Sequence, residues 1–203
     1  MTMDRTALRR IFLALFLALI LAPHAASAHI VAGEAMGFWS GFNHPVSGLD
    51  HILAMIAVGM WGVQLGRPAT WVLPITFPLI MACGGFLGLA GIPLPGAEIG
   101  IAFSGIVLGT AVLTAFRAPL ALTALIVGTF GLFHGHAHGV EMPPGQNPLL
   151  YSLGFVLATG LMHATGIAIG LLHRRQWGHY AIRFAGVVVL AGGLFFLWHA
   201  AGA

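Results

Sequence analysis

The 203-residue chain contains no lysine, and only 6% of its residues are charged. A Walker A loop needs a lysine to reach nucleotide phosphates, so ATP hydrolysis by that route is excluded. A Schiff base to retinal or pyridoxal phosphate also needs a lysine and is excluded as well. Hydrophobic residues make up 59% of the chain, and the mean hydropathy is +0.96. Because soluble domains carry about 25% charged residues, the composition predicts an integral membrane protein.

Cysteine is also scarce, with Cys83 as its single example. One cysteine can form neither an intrachain disulfide nor a CxxC metal knuckle. Because Cys83 lies in an apolar stretch, we expect a small buried core residue rather than a soft metal ligand. Basic residues are few too, and leader arginines supply much of the formal net charge of +3. Without a basic stripe, nucleic acid is not expected as a partner.

Residues 1–28 have the pattern of a cleavable secretory signal peptide. Arginines at positions 5, 9 and 10 precede an apolar run over 11–22, and Ala26-Ser27-Ala28 fits an A-x-A cleavage site. The apolar run is too short to span a bilayer by itself. Cleavage would leave a mature chain over 29–203 whose exported N-terminus is His29, whereas an uncleaved anchor is the alternative.

Beyond the leader, six apolar segments have the roughly 20 residues that a transmembrane helix needs. They are approximately 45–66, 70–91, 97–116, 118–138, 148–173 and 181–201. Glycine, proline and arginine clusters separate the segments, and the short connections leave no room for a soluble domain. The sequence therefore predicts an all-α integral membrane protein with a single six-transmembrane-helix bundle. Glycine pairs such as Gly84/Gly88, Gly105/Gly109 and Gly166/Gly170 predict close helix packing.

The charged residues of the mature chain sort into two alternating sets of loops. The arginines of one set are Arg67, Arg117, Arg174, Arg175 and Arg183, and the acids of the other are Glu34, Glu98 and Glu141. By the positive-inside rule the arginine loops are cytoplasmic, which places both mature termini outside. An exported N-terminus requires the same orientation. We therefore expect a multi-pass protein of the bacterial inner (cytoplasmic) membrane, embedded in the lipid bilayer.

The head of the first span carries His44, Asp50 and His51, a ligand set suited to a divalent transition metal. Pro45 predicts that the helix begins there, with His44 at its cap. His51 would then lie about 10 Å deeper, too far to share an ion with His44, unless residues 45–48 are not regular helix. Asp50 and His51 would point about 100° apart, each toward partners on another helix. A structural ion pair between helices is the alternative.

A second cluster, His134, His136, His138 and Glu141, lies where the fourth span reaches the same face. His134 and His138 are four residues apart on one helix face, which suits a chelating pair. His136 faces away and would serve as a supporting or entry ligand. Gly139 fits a helix C-cap, where the helix dipole favours a cation. The competing interpretation is a solvated histidine-rich loop tip.

These clusters together predict an uptake path for a divalent cation. We expect His44, Asp50, His51 and His134 to form the selecting site between the first and fourth spans. A separate outer group would raise the local ion concentration: His29, His136, His138 and Glu141. His163 is the one mature histidine well inside a span, either as a deeper metal step or as an interhelical hydrogen-bond donor. Histidine ligands favour nickel, cobalt, copper or zinc over magnesium and calcium.

The leader, the mature start at a histidine, and the motifs HPVSGLDH (44–51) and FHGHAHG (133–139) resemble the HupE/UreJ family over essentially the whole chain. The resemblance implies a nickel permease rather than an enzyme, with Ni²⁺ or Co²⁺ as cargo and not as a prosthetic group. It also implies hydrogenase or urease maturation proteins as partners. The signature of the nickel–cobalt transporters has four residues between His and Asp-His. Here five intervene, so a shared coordination geometry is not assumed.

Two other functions are compatible with the residues alone. An intramembrane zinc hydrolase would need a third ligand converging on Asp50 and His51, an activated water and a lateral opening. A metal-binding chaperone or sensor that does not transport would use the same ligands. The sequence does not distinguish nickel from cobalt, nor does it identify the energy source or the oligomeric state.

Overall fold

The structure, a computed structural model, describes residues 35–202. Over that range it contains seven α-helices, a short 3₁₀ helix and no strand, so the predicted all-α class is confirmed. The α-helices are α1 (Ala35–Ser47), α2 (Leu49–Leu65), α3 (Ala69–Leu89), α4 (Ala97–Thr114), α5 (Leu120–Val140), α6 (Pro148–Gly170) and α7 (Gly178–Gly202), and the 3₁₀ helix is Leu171–Arg174. The predicted signal peptide, His29 and Glu34 lie outside the described residues.

Helices α3 to α7 are each long and apolar enough to cross a membrane, and they match the second to sixth predicted spans. The first predicted span, 45–66, is wrong as one straight helix. Its place is taken by α1 and α2, which are bent by 83° at Gly48 and reach spanning length only as a pair. The chain is thus a multi-pass membrane protein with five spans, or six when the bent pair counts as one.

The bend at Gly48 has a local cause on both sides. Gly48 has extended backbone angles (φ −99°, ψ 118°), so α2 begins at Leu49 rather than at Pro45. Pro45 lies inside the last turn of α1, where its missing N–H weakens the helix before it ends. The Ser47 hydroxyl donates to the His44 carbonyl at 2.6 Å. The alternative of an irregular segment within 45–48 is therefore confirmed at Gly48.

Helix α2 lies at the centre of the bundle and contacts α3, α4, α6 and α7. Apolar side chains in the middle of α2, including Met55 and Trp61, are fully buried. We call the end where α2 begins and α5 ends the histidine end. The opposite end, where α2 ends and where Arg67 and Arg117 follow α2 and α4, is the arginine end. Cys83 was predicted to be buried but is exposed on α3, because the lipid-facing surface of such a bundle is itself apolar.

Two helix pairs, α3 with α5 and α4 with α7, pack along seams of small residues, and the three glycine pairs predicted for close packing are confirmed. A Cβ on Gly135 of α5 would collide with the Met81 carbonyl of α3. This contact fixes the rotation of α5 and hence the direction of the neighbouring His134. Gly139, predicted as the cap of α5, lies inside the helix instead. The helix continues to Val140 with Glu141 at the cap, because Gly139 itself packs against the α3 backbone.

Candidate metal site

The last turn of α1 places His44 beside the carboxyl end of α5. His44 was predicted at the start of a helix and is found at the end of one, because the chain is helical from Ala35. Its Nε2 donates to Oε2 of Glu141 at 3.0 Å. The bend at Gly48 therefore folds His44 back onto α5 instead of leaving it above α2.

Three side chains converge at this point, His44, His138 and Glu141. One ligand atom from each lies within 4.8 Å of the other two, and no other described group of three or more such residues does so. The rings of His44 and His138 are 4.8 Å apart between centroids, and Nδ1 of His138 is 3.9 Å from Oε2 of Glu141. Two imidazoles and a carboxylate in this arrangement are suited to a divalent transition metal. His138 and Glu141, expected in an outer group, thus lie with a residue expected in the selecting site.

Asp50 and His51 form a hydrogen-bonded pair within the first turn of α2. Nδ1 of His51 donates to Oδ1 of Asp50 at 2.7 Å, and the His51 backbone N–H donates to the same oxygen at 2.9 Å. The prediction that each would seek partners only on another helix is wrong, as is that of an ion pair between helices. The bond places the ring proton on Nδ1 and leaves Nε2 with a lone pair. Carboxylate–imidazole pairs commonly orient metal ligands in this way.

The imidazole of His51 contacts two histidines of α5, and one of these, His138, also contacts His44 of α1. Its centroid is 4.3 Å from that of His138 and 4.9 Å from that of His134. Nδ1 of His134 donates to the Phe130 carbonyl at 2.9 Å. Within residues 35–202, Nε2 of His51, Nε2 of His134 and both ring nitrogens of His138 are buried with no hydrogen-bond partner. The expected face shared by His134 and His138 is therefore present, and unused nitrogen atoms line it.

The imidazoles of His44, His138, His51 and His134 follow one another as a column. Glu141 supplies a negative charge where this column begins, at His44. The hydrogen bond from His44 lowers the pKa of the Glu141 carboxyl, although partial burial opposes the shift. The carboxylate is therefore ionised at neutral pH. Among the described residues the other acids are Asp50, inside the column, and Glu98, exposed in the first turn of α4. Two of the three acids thus contact the column of imidazoles, where they would attract a cation. We call the four imidazoles together with Asp50 and Glu141 the histidine cluster.

Two predicted site residues lie apart from this cluster. Nε2 of His136 donates to the Ile92 carbonyl in the α3–α4 connection at 2.8 Å, so this ring faces away from His134, as expected. His163, 1% exposed on α6, packs against Phe77 and, among the described residues, makes no ring contact with the cluster itself. The Phe77 ring centroid is 5.3 Å from His134 and 5.3 Å from His163. His29 lies outside the described residues.

A lateral cleft of about 200 Å³ opens beside the cluster, between the parts of α3, α5 and α6 nearest the histidine end. Its walls are mainly apolar, with His138, Tyr151 and Ser152 as the polar side chains. Tyr151, whose ring centroid is 5.9 Å from that of His44, was not among the predicted site residues. Its position near the start of α6 offered no distinguishing motif. Phe155, one turn further, packs against His138 at 4.3 Å between centroids.

Both histidine motifs, 44–51 and 133–139, lie within the residues that match a known protein family. Residues 17–196 match the family model described as HupE / UreJ protein. The chain is 45% identical over 177 residues to Protein HupE of Rhizobium leguminosarum bv. viciae, an alignment covering 87% of this chain and 92% of that protein. No solved structure matches the chain.

Proposed function

Because the chain belongs to the HupE/UreJ family, we propose that it is a secondary permease for a divalent transition metal, with Ni²⁺ as its principal cargo. The single observation that carries the proposal is the convergence of His44, His138 and Glu141 at the histidine end. The family's association with hydrogenase and urease supports nickel, with cobalt as the nearest competitor. The mixed nitrogen and oxygen ligand set supports a transition metal over magnesium or calcium.

The column of imidazoles supports movement of the ion rather than permanent storage. From His44 through His138 and His51 to His134, successive ring centroids are 4.8, 4.3 and 4.9 Å apart. An ion bound to His44, His138 and Glu141 can therefore exchange one ligand at a time for the next imidazole. Sites with few ligands bind weakly enough to release their ion, as conduction requires. Asp50 holds His51 in the orientation that presents Nε2 to the passing ion.

We further propose that the histidine end faces the outside of the bacterial inner membrane. The arginines that follow α2 and α4 then lie in the cytoplasm, in accord with the positive-inside rule. The predicted signal peptide over 1–28 would export the mature N-terminus, so that His29 could attract ions outside. His136 could assist through Nδ1, since its Nε2 donates to Ile92. Hydrogenase or urease maturation proteins would receive the metal inside.

An inside-negative membrane potential would favour such uptake. An inside-negative potential contributes about 2.3 kcal/mol per elementary charge for each 100 mV, and a divalent cation carries two charges. The absence of lysine removes the Walker A route to ATP hydrolysis. Uptake is therefore proposed to follow the electrochemical gradient of the metal.

The test is metal uptake into proteoliposomes, with nickel, cobalt, zinc and copper in competition. We expect Ni²⁺ accumulation by the wild type and its loss in His51→Ala, with membrane insertion unchanged. The matched control is His199→Ala, since His199 is exposed and its Nδ1 donates to Phe195 within its own helix. Uptake by inserted His51→Ala at the wild-type rate would contradict the assignment. Tight nickel binding without uptake would favour the chaperone or sensor.

One observation favours the second candidate, an intramembrane zinc hydrolase. The lateral cleft reaches His138 and has the Ser152 side chain on its wall. The length of the imidazole column argues for transport, since a hydrolytic zinc site needs only three protein ligands and a water. One tightly held Zn²⁺ per chain together with hydrolysis of a lipid or peptide would support the hydrolase instead.

A further inference from the structure

Helix α6 carries two buried polar side chains beyond the histidine cluster, Thr159 and His163. They are 0% and 1% exposed, respectively. Within the described part of the chain, neither the Thr159 hydroxyl nor either ring nitrogen of His163 has a hydrogen-bond partner. They are four residues apart and therefore lie on one face of the helix, about 6 Å apart along its axis. An unpaired polar group costs several kcal/mol inside a bilayer, so two on one face indicate a missing ligand.

Thr159 differs from three exposed threonines in these helices. The hydroxyls of Thr114, Thr129 and Thr165 donate to the carbonyl four residues earlier, at 2.8, 2.9 and 2.9 Å. This local bond is the usual way in which a membrane helix satisfies a threonine. Thr159 makes no such bond in the described structure. Its hydroxyl oxygen is therefore available to another group.

Helix α3 supplies a third oxygen next to His163. Pro78 has no N–H, so the Pro74 carbonyl lacks the donor that a residue four positions later provides in a regular helix. The Pro74 carbonyl lies beside the His163 ring, although the geometry falls short of a hydrogen bond. Helix α3 thus brings a carbonyl without its helical donor beside the imidazole of His163, and the Thr159 hydroxyl lies one helical turn from that imidazole on the same face of α6.

Phe77 separates this region from the histidine cluster. Its fully buried ring lies between His134 and His163, with centroids 5.3 Å from each. A cation that moved directly from His134 to His163 would therefore contact the aromatic ring. The negative face of an aromatic ring tolerates a cation, so Phe77 restricts the passage without closing it electrostatically.

We propose that His163, Thr159 and the Pro74 carbonyl form a second, inner binding site for the same divalent transition metal, with Phe77 as the partition between the two sites. The inner site rests on the proposed function, because its ion arrives through the histidine cluster, which is the outer of the two sites. It extends the path from the histidine end into the middle of the bundle. An ion with one imidazole and two neutral oxygens is held more weakly than in the outer cluster and keeps some of its water.

The experiment counts sites and measures flux on the full chain, using Co²⁺ and Ni²⁺ alone as probes. Equilibrium binding of Co²⁺ and its visible spectrum report the number of sites and the number of nitrogen ligands. The wild type is expected to bind a strong and a weak ion. His163→Gln is expected to lose the weak ion and to slow Ni²⁺ uptake about tenfold or more, while affinity at the outer cluster changes by less than about twofold.

Thr159→Val tests the same site with little change in side-chain shape, so it also covers the case in which His163→Gln fails to insert. The weak site is expected to lose affinity about threefold to tenfold, as for the loss of one neutral oxygen ligand. The matched control is Thr165→Val, since that exposed hydroxyl is already bonded to the Leu161 carbonyl. This control should keep both ions and full uptake.

The results separate the inner site from the proposed function. If inserted His163→Gln and Thr159→Val both keep the weak ion and the wild-type flux, the inner site is overturned while the outer site stands. Equal losses in Thr159→Val and Thr165→Val would also overturn it, because the effect would then be general to α6. If the wild type neither binds nor transports Co²⁺ or Ni²⁺, the proposed function itself fails.

Discussion

The two ends of the bundle use their buried polar groups differently. At the arginine end, the Gln64 amide donates to the Val112 carbonyl of α4, and the Trp61 indole N–H donates to the Phe116 carbonyl just beyond α4, at 2.9 Å each. At the histidine end, ring nitrogens of His51, His134 and His138 have no partner among residues 35–202. Donors at the arginine end hold helices together, and Gln64 Oε1 is left there without a partner among the described residues, whereas the unpaired atoms at the histidine end are ring nitrogens of imidazoles that contact one another. Because unpaired polar atoms are expensive in a membrane, this contrast indicates that the histidine end is built for a ligand.

The largest expected effect comes from removing the histidine that contacts both His44 and His51. His138→Ala should weaken Ni²⁺ binding about 100-fold or more, because the cluster loses the imidazole shared by its two halves. Ni²⁺ should raise the Tm of the wild type, since a ligand that binds only the folded state stabilises it, and should not do so in this variant. Thermal unfolding with and without Ni²⁺ measures both effects.

Trp61→Phe is the matched control from the arginine end. It loses the bond to Phe116 and should lower the stability of the metal-free protein by at least about 1 kcal/mol, yet keep the full response to Ni²⁺. If Trp61→Phe abolished the Ni²⁺ response and His138→Ala kept it, the contrast between the two ends would be wrong.

A smaller effect concerns Glu141 and pH. The hydrogen bond from His44 lowers the Glu141 pKa below its ordinary value of 4.5, so the folded state favours the ionised carboxylate. A carboxyl whose pKa is lowered on folding adds stability above the unfolded pKa, and this is lost as pH falls through the folded value. The Tm of the metal-free wild type should therefore exceed that of Glu141→Gln at neutral pH. The difference should shrink below about pH 4.5.

Thermal unfolding of both proteins across this pH range measures the effect. The gain is modest, because Glu141 is half exposed and solvent screens it. A difference that grew on acidification would show that the carboxyl is stabilised in its neutral form instead.

The smallest effect is expected in the lateral cleft. Ser152→Trp places a large side chain on the cleft wall. Ni²⁺ uptake should change by less than about twofold, because an apolar opening toward lipid is a poor route for a hydrated cation. Proteoliposome uptake, with Leu153→Trp on the lipid-facing surface as control, measures this. A loss of uptake as large as that expected for His51→Ala would place the entry route in the cleft.

The sequence predicted those parts of the fold that depend on local composition. Long apolar runs separated by glycine, proline and arginine located α3 to α7, since a helix that crosses a membrane must satisfy its own backbone. The spacing of His134 and His138 correctly predicted a shared face, because helical periodicity is a local property. The roles of individual site residues stay predictions until uptake is measured.

Only the tertiary structure decided how the first motif is arranged. The extended angles of Gly48 turn α1 away from α2, while Gly41 of α1 packs against the Tyr151 backbone of α6. That packing brings His44 to Glu141, residues 97 positions apart in the chain. Likewise, Phe77 lies between His134 and His163 because three different helices meet there. By itself the sequence determined the ligand types and the helices that carry them, since both depend on local chemistry. Which ligands meet depended on contacts between distant helices, and local spacing does not encode those.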